Sequence, residues 1–151
     1  MKVSDVMSKK VLSVTPKENM TSVIKKLSKD DITGMPVIDQ GKVVGIISNS
    51  DVLKGMDVFF GINSASDMYA IKKILKGKDV SSDMARRLCR KKVWEMMSKN
   101  VVTIDHDKSL SEAVKIINDN SIDRLPVVHK GKLVGIITKK DVLKAVSKMN
   151  D

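Results

Sequence analysis

The sequence has few of the residues that mark secreted, membrane-bound or aromatic-rich proteins. It contains one cysteine, Cys89, so no disulfide can form within the chain. Aromatic residues make up 3% of it, so the core must be filled by Val, Ile, Leu and Met side chains. No apolar run near the N-terminus is long enough for a signal peptide or a membrane span. We therefore expect a cytoplasmic protein that does not contact a membrane.

The sequence also lacks the common catalytic motifs. It has no phosphate-binding Gly-rich loop that ends in Lys-Ser/Thr, and no Gly-x-Ser-x-Gly elbow. His106 and His129 have no sequence neighbours at metal-ligand spacing, so we expect each to be a surface residue. Cys89 follows a basic run that would lower its pKa, but no candidate base accompanies it, so we predict an ordinary thiol. The chain is predicted not to be an enzyme, and to require no metal or cofactor.

The chain contains an internal repeat with a fixed offset of 90 residues. The matching segments are Gly41-Lys42 and Gly131-Lys132, then Val44–Ile47 and Val134–Ile137, then Asp51–Lys54 and Asp141–Lys144. A repeat this close indicates duplication of one structural unit. Two copies that bury their apolar faces against each other place equivalent loops around a pseudo-twofold axis.

Each copy predicts an α/β unit of the order strand, helix, strand, strand, helix. Apolar residues at i, i+3, i+4 and i+7 from Met20, and again from Leu110, indicate one buried helix face. Two β-branched runs around a Gly-containing turn predict a hairpin. The first strands are predicted at Val11–Val14 and around Val101–Thr103. The last helices are predicted to bury Val52, Leu53 and Met56 in the first copy, and Val142, Leu143 and Val146 in the second.

The excess of positive charge is concentrated between the copies. The net charge is +10, and the segment from Lys72 to Lys92 carries nine basic residues against Asp79 and Asp83. Apolar spacing from Met68 and a cap at Ser82 predict two helices in this bridge. The predicted domains are 1–60, a helical basic bridge at 61–92, and 93–151. One hypothesis for the bridge is nucleic-acid binding, which we expect to be weak because a basic helix is usually a solvated face.

A hydroxyl residue and an aspartate recur where the hairpin ends and the last helix begins. Ser48 and Asp51 have this spacing in the first copy, and Thr138 and Asp141 have it in the second. A carboxylate on a first helical turn can accept hydrogen bonds from the vicinal hydroxyls of a ribose, while the helix N-terminus favours a phosphate. The same pattern is also an ordinary capping box that binds nothing. The residues alone leave both interpretations open.

Taken together, these motifs resemble the cystathionine beta-synthase (CBS) domain. The resemblance covers about residues 3–54 and 93–147. It rests on Met35-Pro36-Val37-Ile38 and Leu125-Pro126-Val127-Val128, on the Gly-Lys turns, and on the segments Gly45–Asp51 and Gly135–Asp141. It implies two CBS motifs that pack as one α/β module with two clefts between them.

The resemblance also implies roles for individual residues. Asp51 and Asp141 would hold a ribose, and Ser48 and Thr138 would bond near the ribose or phosphate. The base would lie near Ser13 or Thr103, against the residues at the prolines, which are Met35 and Pro36 or Leu125 and Pro126. Arg124 resembles the phosphate-contacting arginine of the gamma subunit of AMP-activated protein kinase. Arg124 and Lys139 stand where the first copy has Gly34 and Asn49, so the second cleft is expected to be the stronger phosphate site. Gly34 replaces the arginine in the first copy, so the two clefts are expected to be unequal.

The function implied by the resemblance is regulatory. Related tandem pairs often bind AMP, ADP, ATP or S-adenosylmethionine, and they usually dimerise. We therefore expect a stand-alone sensor that binds an adenosyl ligand and forms a homodimer. The alternatives are a nucleic-acid-binding protein that uses the basic bridge, and a dimerisation scaffold without a ligand.

Overall fold

The computed structural model describes residues 1–59, 61–62 and 64–149 and contains both helices and strands. The helices are α1 (Val3–Val6), α2 (Met20–Lys29), α3 (Asn49–Lys54), α4 (Ala65–Leu75), α5 (Asp83–Arg90), α6 (Val93–Met96), α7 (Leu110–Asp119) and α8 (Lys139–Met149). The strands are β1 (Gly34–Asp39), β2 (Lys42–Ser48), β3 (Ile104–Asp105), β4 (Arg124–His129) and β5 (Lys132–Thr138). One π-helical turn, Gly55–Phe59, continues α3. The predicted domain boundaries at residues 60 and 151 lie outside the described residues.

The chain divides into two compact units. The first unit comprises Met1–Val11, Gln40–Val43 and the residues from Asn100 onwards. The second unit comprises Leu12–Asp39 and Val44–Lys99. Each unit therefore combines most of one repeat with the opening residues of the other repeat.

The hairpins predicted from the sequence are present in both copies, and their turns explain the shared glycines. Strand β1 pairs with β2, and β4 pairs antiparallel with β5. The two turn residues have positive φ in both hairpins, 51° and 81° at Gln40-Gly41 and 51° and 79° at Lys130-Gly131. Positive φ at both central residues is typical of the tight turn that matches strand twist. In the first unit β3 adds to β4 in parallel, which gives the order β3-β4-β5.

Each unit has an aliphatic core, as the composition predicts. The core of the second unit is formed by residues that include Met20, Val23, Met35, Val37, Ile47, Leu88 and Val93. The core of the first unit is formed by Val3, Ile104, Leu110, Ala113, Ile117, Leu125, Val127 and Ile137. Full burial of such side chains contributes roughly 1.5 to 3 kcal/mol each, so these clusters hold the hairpins and helices together.

The opening residues of each repeat are fastened by backbone hydrogen bonds. In the first unit Ser8 and Ile136 exchange two bonds of 2.9 Å, and Val3 is fully buried. In the second unit Ser98 and Ile46 exchange bonds of 2.9 and 3.0 Å, and Val93 is fully buried. Each bond pair lies next to the strand glycine, Gly135 or Gly45, which leaves space for the crossing chain.

Two details of the sequence prediction are wrong. The predicted strand at Val11–Val14 contributes one parallel bridge, from Val14 to Val37, and in the second copy strand β3 starts beyond Val101–Thr103. In each copy the chain runs beside the next strand, β1 or β4, only from Val14 or Ile104 onwards. The residues before Val14 and before Ile104 therefore form no ladder with that strand. Three residues predicted to be buried, Leu53, Leu143 and Val146, are exposed to 60%, 69% and 47%.

Candidate functional site

The second copy of the hydroxyl-aspartate motif lies in the first unit, where β5 ends and α8 begins. Oδ2 of Asp141 accepts hydrogen bonds from the backbone N–H of Thr138 at 2.9 Å and from its hydroxyl at 2.8 Å. The Asp141 N–H donates to the Thr138 hydroxyl oxygen at 3.2 Å. Both side chains are partly buried. The carboxylate is therefore held at the helix N-terminus by one oxygen, and Oδ1 takes neither of these bonds.

The first copy of the motif, in the second unit, repeats this geometry. Oδ2 of Asp51 accepts from the backbone N–H of Ser48 at 2.8 Å and from its hydroxyl at 3.1 Å. The N–H of Asn49, the first residue of α3, donates to the carbonyl of Thr33 at 2.9 Å. This bond ties the start of α3 to the residue before β1. Two aspartates are thus fixed in the same way at equivalent strand ends.

Two cations predicted to contact a phosphate lie beside the second-copy motif. The register of β4 and β5 places Arg124 opposite Thr138. The Lys139 ammonium lies 3.3 Å from a carboxylate oxygen of Asp123, with more than half of each side chain exposed. An exposed ion pair of this kind contributes little, so the Lys139 side chain can exchange this partner for a ligand anion at small cost. The first copy has Gly34 and Asn49 at these positions, which makes the two copies electrostatically unequal.

The predicted base-contacting residues fall into two groups. The side chains of Met35, Pro36, Leu125 and Pro126 are buried in the described structure. Only their main-chain groups are available for direct contact unless the core rearranges, and the carbonyl of Pro36 already accepts from Val14 N–H at 3.2 Å. Ser13 is partly buried and Thr103 is exposed. Ser13 offers its hydroxyl, since its carbonyl accepts from the Lys26 ammonium at 2.9 Å.

Each unit also has cavities that the sequence analysis did not predict. In the first unit Asp141 lines a cavity of about 210 Å³ together with Asp5, Lys144 and Lys148. In the second unit a cavity of about 450 Å³ is lined by Arg87, Lys91, Trp94, Glu95, Met96, Met97 and Lys99. The single tryptophan of the chain, next to a basic run, was the available signal for the second cavity.

The basic bridge has a buried apolar face and a solvated basic face. Helix α5 buries Ala85, Leu88 and Cys89, and Ser82 caps its start by accepting the Ala85 N–H at 3.3 Å. The Arg86 guanidinium pairs with Asp83, which neutralises part of the charge. Helices α4 and α5 lie within the segment predicted as the bridge.

The basic neighbours of Cys89 in sequence do not lower the pKa of its thiol. Burial raises the pKa of the Cys89 thiol above its ordinary value, although a hydrogen bond with Thr21 works in the opposite direction. Arg87 and Arg90 are exposed and Arg86 is paired with Asp83, so their charges do little to offset desolvation of the thiolate. Burial therefore favours the protonated form of the thiol.

Within the described residues, no helix is both long and apolar enough to cross a membrane.

Comparison with known proteins identifies the family. The model of the CBS domain matches residues 3–57 and 93–148. The uncharacterized protein MJ1426 of Methanocaldococcus jannaschii is 33% identical over 97% of this chain and 91% of its own length. The chain spans 40% and 46% of two longer relatives from the same organism, MJ1232 and MJ1225.

Solved structures show the same fold. CBSX2, solved in complex with AMP, has a TM-score of 0.74 and 25% identity, and the match covers 99% of both chains. The CBS domain pair of MJ0100, solved with 5′-methylthioadenosine and S-adenosyl-L-methionine, has a TM-score of 0.72 and 22% identity over 99% of this chain and 98% of that one. The two matched repeats and the shared α/β fold show that this chain belongs to the CBS domain family, as a tandem CBS pair.

Proposed function

We propose that this chain is a regulatory module that binds an adenosyl ligand at the strand ends marked by Ser48-Asp51 and Thr138-Asp141. The observation that carries the proposal is the repeated geometry of these two pairs, in which one carboxylate oxygen is fixed by the hydroxyl residue three positions earlier. The second oxygen of each aspartate can then accept from ribose hydroxyls. Two vicinal hydroxyls on one carboxylate form charge-assisted bonds, which are stronger than neutral ones.

The second copy is the stronger candidate for a ligand with phosphates. Helix α8 has eleven residues, so its first-turn N–H groups and dipole favour an anion. Arg124 and Lys139 add positive charge on the same strand end. These charges favour AMP, ADP or ATP over S-adenosylmethionine, whose sulfonium is a cation. The first copy, with Gly34 and Asn49, is proposed to bind more weakly.

The solved complex of CBSX2 with AMP supports the ligand class. That protein matches 99% of this chain at 25% identity. It therefore supports an adenosyl ligand for the fold as a whole. The choice among adenosyl ligands rests on the charges of this chain.

We propose that the module acts as a sensor and not as an enzyme. A ligand that binds one of two conformations more tightly shifts their populations without any turnover. Leu53 on α3 and Leu143 and Val146 on α8 are exposed apolar residues that a second copy of the chain would cover. A homodimer would give such a shift a second subunit on which to act.

Calorimetric titration of the full chain with AMP, ATP and S-adenosylmethionine tests the proposal. We expect AMP or ATP to bind, with lower affinity after Asp141→Ala and a smaller change after Asp51→Ala. The absence of binding by the wild type to all three, or binding that neither substitution changes, would contradict it.

A further inference from the structure

Both histidines of the chain lie side by side in the first unit. The rings of His106 and His129 are nearly perpendicular, at 89°, with their centroids 4.2 Å apart. Asp105 joins them, so that one ligand atom from each of the three residues lies within 4.8 Å of the other two. Two imidazoles and a carboxylate in one place form a typical donor set for a transition metal.

The strand pairing creates this cluster. Strand β3 runs parallel to β4 with Asp105 beside Val128, and the His106 N–H donates to the Val128 carbonyl at 3.0 Å. His129, the next residue, ends β4. Residues separated by 23 positions thereby become neighbours, which explains why sequence spacing gives no sign of a metal site.

The polar atoms of the cluster are held in place, and one of them lacks a hydrogen bond. Oδ1 of Asp105 accepts the Asp107 N–H at 3.0 Å and lies 3.9 Å from Nε2 of His106. A carboxylate oxygen of Asp107 lies 3.5 Å from Nδ1 on the other side of the ring. Nε2 is buried and has no hydrogen-bond partner among the described residues. A buried ring nitrogen of this kind requires an explanation, because such atoms are nearly always satisfied.

We propose that Asp105, His106 and His129 bind one divalent transition metal ion, with Zn²⁺ as the representative. In this arrangement Nε2 of His106 is a ligand, and Asp107 orients the ring from Nδ1, as carboxylates commonly do for metal-bound histidines. Zn–N and Zn–O distances of about 2.0 to 2.2 Å place tetrahedral ligand atoms roughly 3.4 Å apart. The exposed His129 side chain can rotate to reach that spacing. Three protein ligands leave the fourth position to water.

The first repeat supplies an internal comparison. At an offset of 90 residues, its equivalents of Asp105, His106 and His129 are Thr15, Pro16 and Asp39. Proline has no ligand atom in its side chain, and one aspartate alone does not hold a transition metal. The proposal therefore specifies one ion per chain, bound in the second repeat.

An alternative is that His106 is simply paired with Asp105 and Asp107. That arrangement does not explain the contact of its ring with His129. It also makes no use of the neighbouring ring as a ligand. The two accounts differ in what happens when His129 is removed, because only the metal site depends on it.

Zinc titration of the chelator-treated full chain tests the proposal. We expect one Zn²⁺ per chain by calorimetry and no response to Mg²⁺, which prefers oxygen ligands. His129→Ala and Asp105→Asn should each weaken Zn²⁺ binding by about 10-fold or more. In Asp105→Asn the side-chain amide oxygen can still accept the Asp107 N–H, and position 129 is exposed, so both variants should fold. Asp39 is the residue of the first repeat that is equivalent to His129. Asp39→Asn is therefore the matched control and should bind Zn²⁺ like the wild type.

A second readout makes the assignment direct. Because the chain has only two histidines, both sets of imidazole nitrogen signals in an NMR spectrum report on this cluster, and Zn²⁺ should shift them together. Cys89→Ala should leave binding unchanged, since the thiol is buried in the other unit. No zinc binding by the wild type, binding indifferent to His129→Ala and Asp105→Asn, or loss of binding in Cys89→Ala would overturn the proposal.

Discussion

Asp141 and Thr138 form a closed hydrogen-bonded pair in which Oδ2 of the aspartate accepts both the N–H and the hydroxyl of the threonine. Helix α7 begins in the same way, since Oε2 of Glu112 accepts the N–H of Ser109 at 2.9 Å and its hydroxyl at 3.1 Å. Asp141 at the start of α8 is predicted to contact a ligand, whereas Glu112 at the start of α7 is predicted to be a plain helix cap. The chain therefore contains its own control for separating the two roles.

Asp141→Ala should reduce the affinity for AMP by about 30-fold to 1,000-fold, because up to two charge-assisted bonds to ribose are lost. Glu112→Ala removes a comparable cap and should leave AMP affinity unchanged. Both variants should melt at slightly lower temperature. Calorimetry and thermal denaturation of the two variants distinguish the roles, and equal AMP affinity in both would identify Asp141 as a cap alone.

Gly45→Ala should destabilise the fold by about 1 to 3 kcal/mol, the usual cost of overpacking. A β-carbon at position 45 would lie 2.5 Å from the Met97 sulfur and 2.9 Å from the Ser98 carbonyl oxygen. Met97→Ala in the same background should recover only part of the loss, because the main-chain oxygen stays in place. Urea denaturation measures both effects. If Gly45→Ala were as stable as the wild type, the segment at Met97 and Ser98 would have to move aside without cost, which would contradict the prediction.

Cys89 should react slowly with a thiol reagent such as dithionitrobenzoate in the native protein and rapidly after unfolding. The pKa of its thiol is raised by burial, so the folded state holds the proton more tightly than the unfolded chain does. This contribution to stability is complete below the ordinary cysteine pKa of about 8.5 and is lost as the pH rises above it. Cys89→Ala should show less alkaline destabilisation than the wild type. Fast native labelling at neutral pH would contradict the assignment.

The basic face of α5 should bind nucleic acid weakly and without sequence preference. A triple variant with Arg86→Ala, Arg87→Ala and Arg90→Ala should lose no more affinity for duplex DNA at low salt than a matched triple variant loses. The matched variant carries Lys25→Ala, Lys29→Ala and Lys115→Ala. Both should bind negligibly at about 0.15 M salt, where such contacts are screened. Submicromolar affinity at that salt concentration, dependent on the three arginines, would instead favour a nucleic-acid-binding function.

Leu143→Gln should shift the protein from dimer to monomer, because Leu143 is the most exposed large apolar side chain of the described residues, at 69%. Lys144→Gln, next to it on α8, also introduces a neutral polar residue and should leave the dimer intact. Static light scattering at micromolar concentration gives the mass. A monomeric wild type that is fully folded would contradict the dimer proposal.

Features that depend on residues close in sequence could be predicted. The helix face that begins at Met20, the cap of Ser109 on Glu112, and the glycines of both hairpin turns are all local, and the structure contains them. The hydroxyl-aspartate pairs were predicted for the same reason, since three positions on a helix start bring the two side chains together.

Features that depend on tertiary pairing were predicted wrongly or not at all. Leu143 fits the apolar spacing of a buried helix face, but periodicity does not tell whether the same chain or another one covers it. His106 and His129 meet only because β3 pairs with β4 in one register. The raised pKa of Cys89 likewise depends on which face of α5 is buried. The arginines next to Cys89 in the sequence do not indicate which face that is.

The exchange of opening segments between the two units sets an order of assembly during synthesis. Every residue of the second unit lies between Leu12 and Lys99, so this unit has all its parts once residue 99 has left the ribosome. Val3, which the first unit buries completely, is made before the second unit but packs against residues beyond 100, which are made after it. We expect residues 1–11 to stay uncovered, and open to proteases and chaperones, until the rest of the first unit has been made.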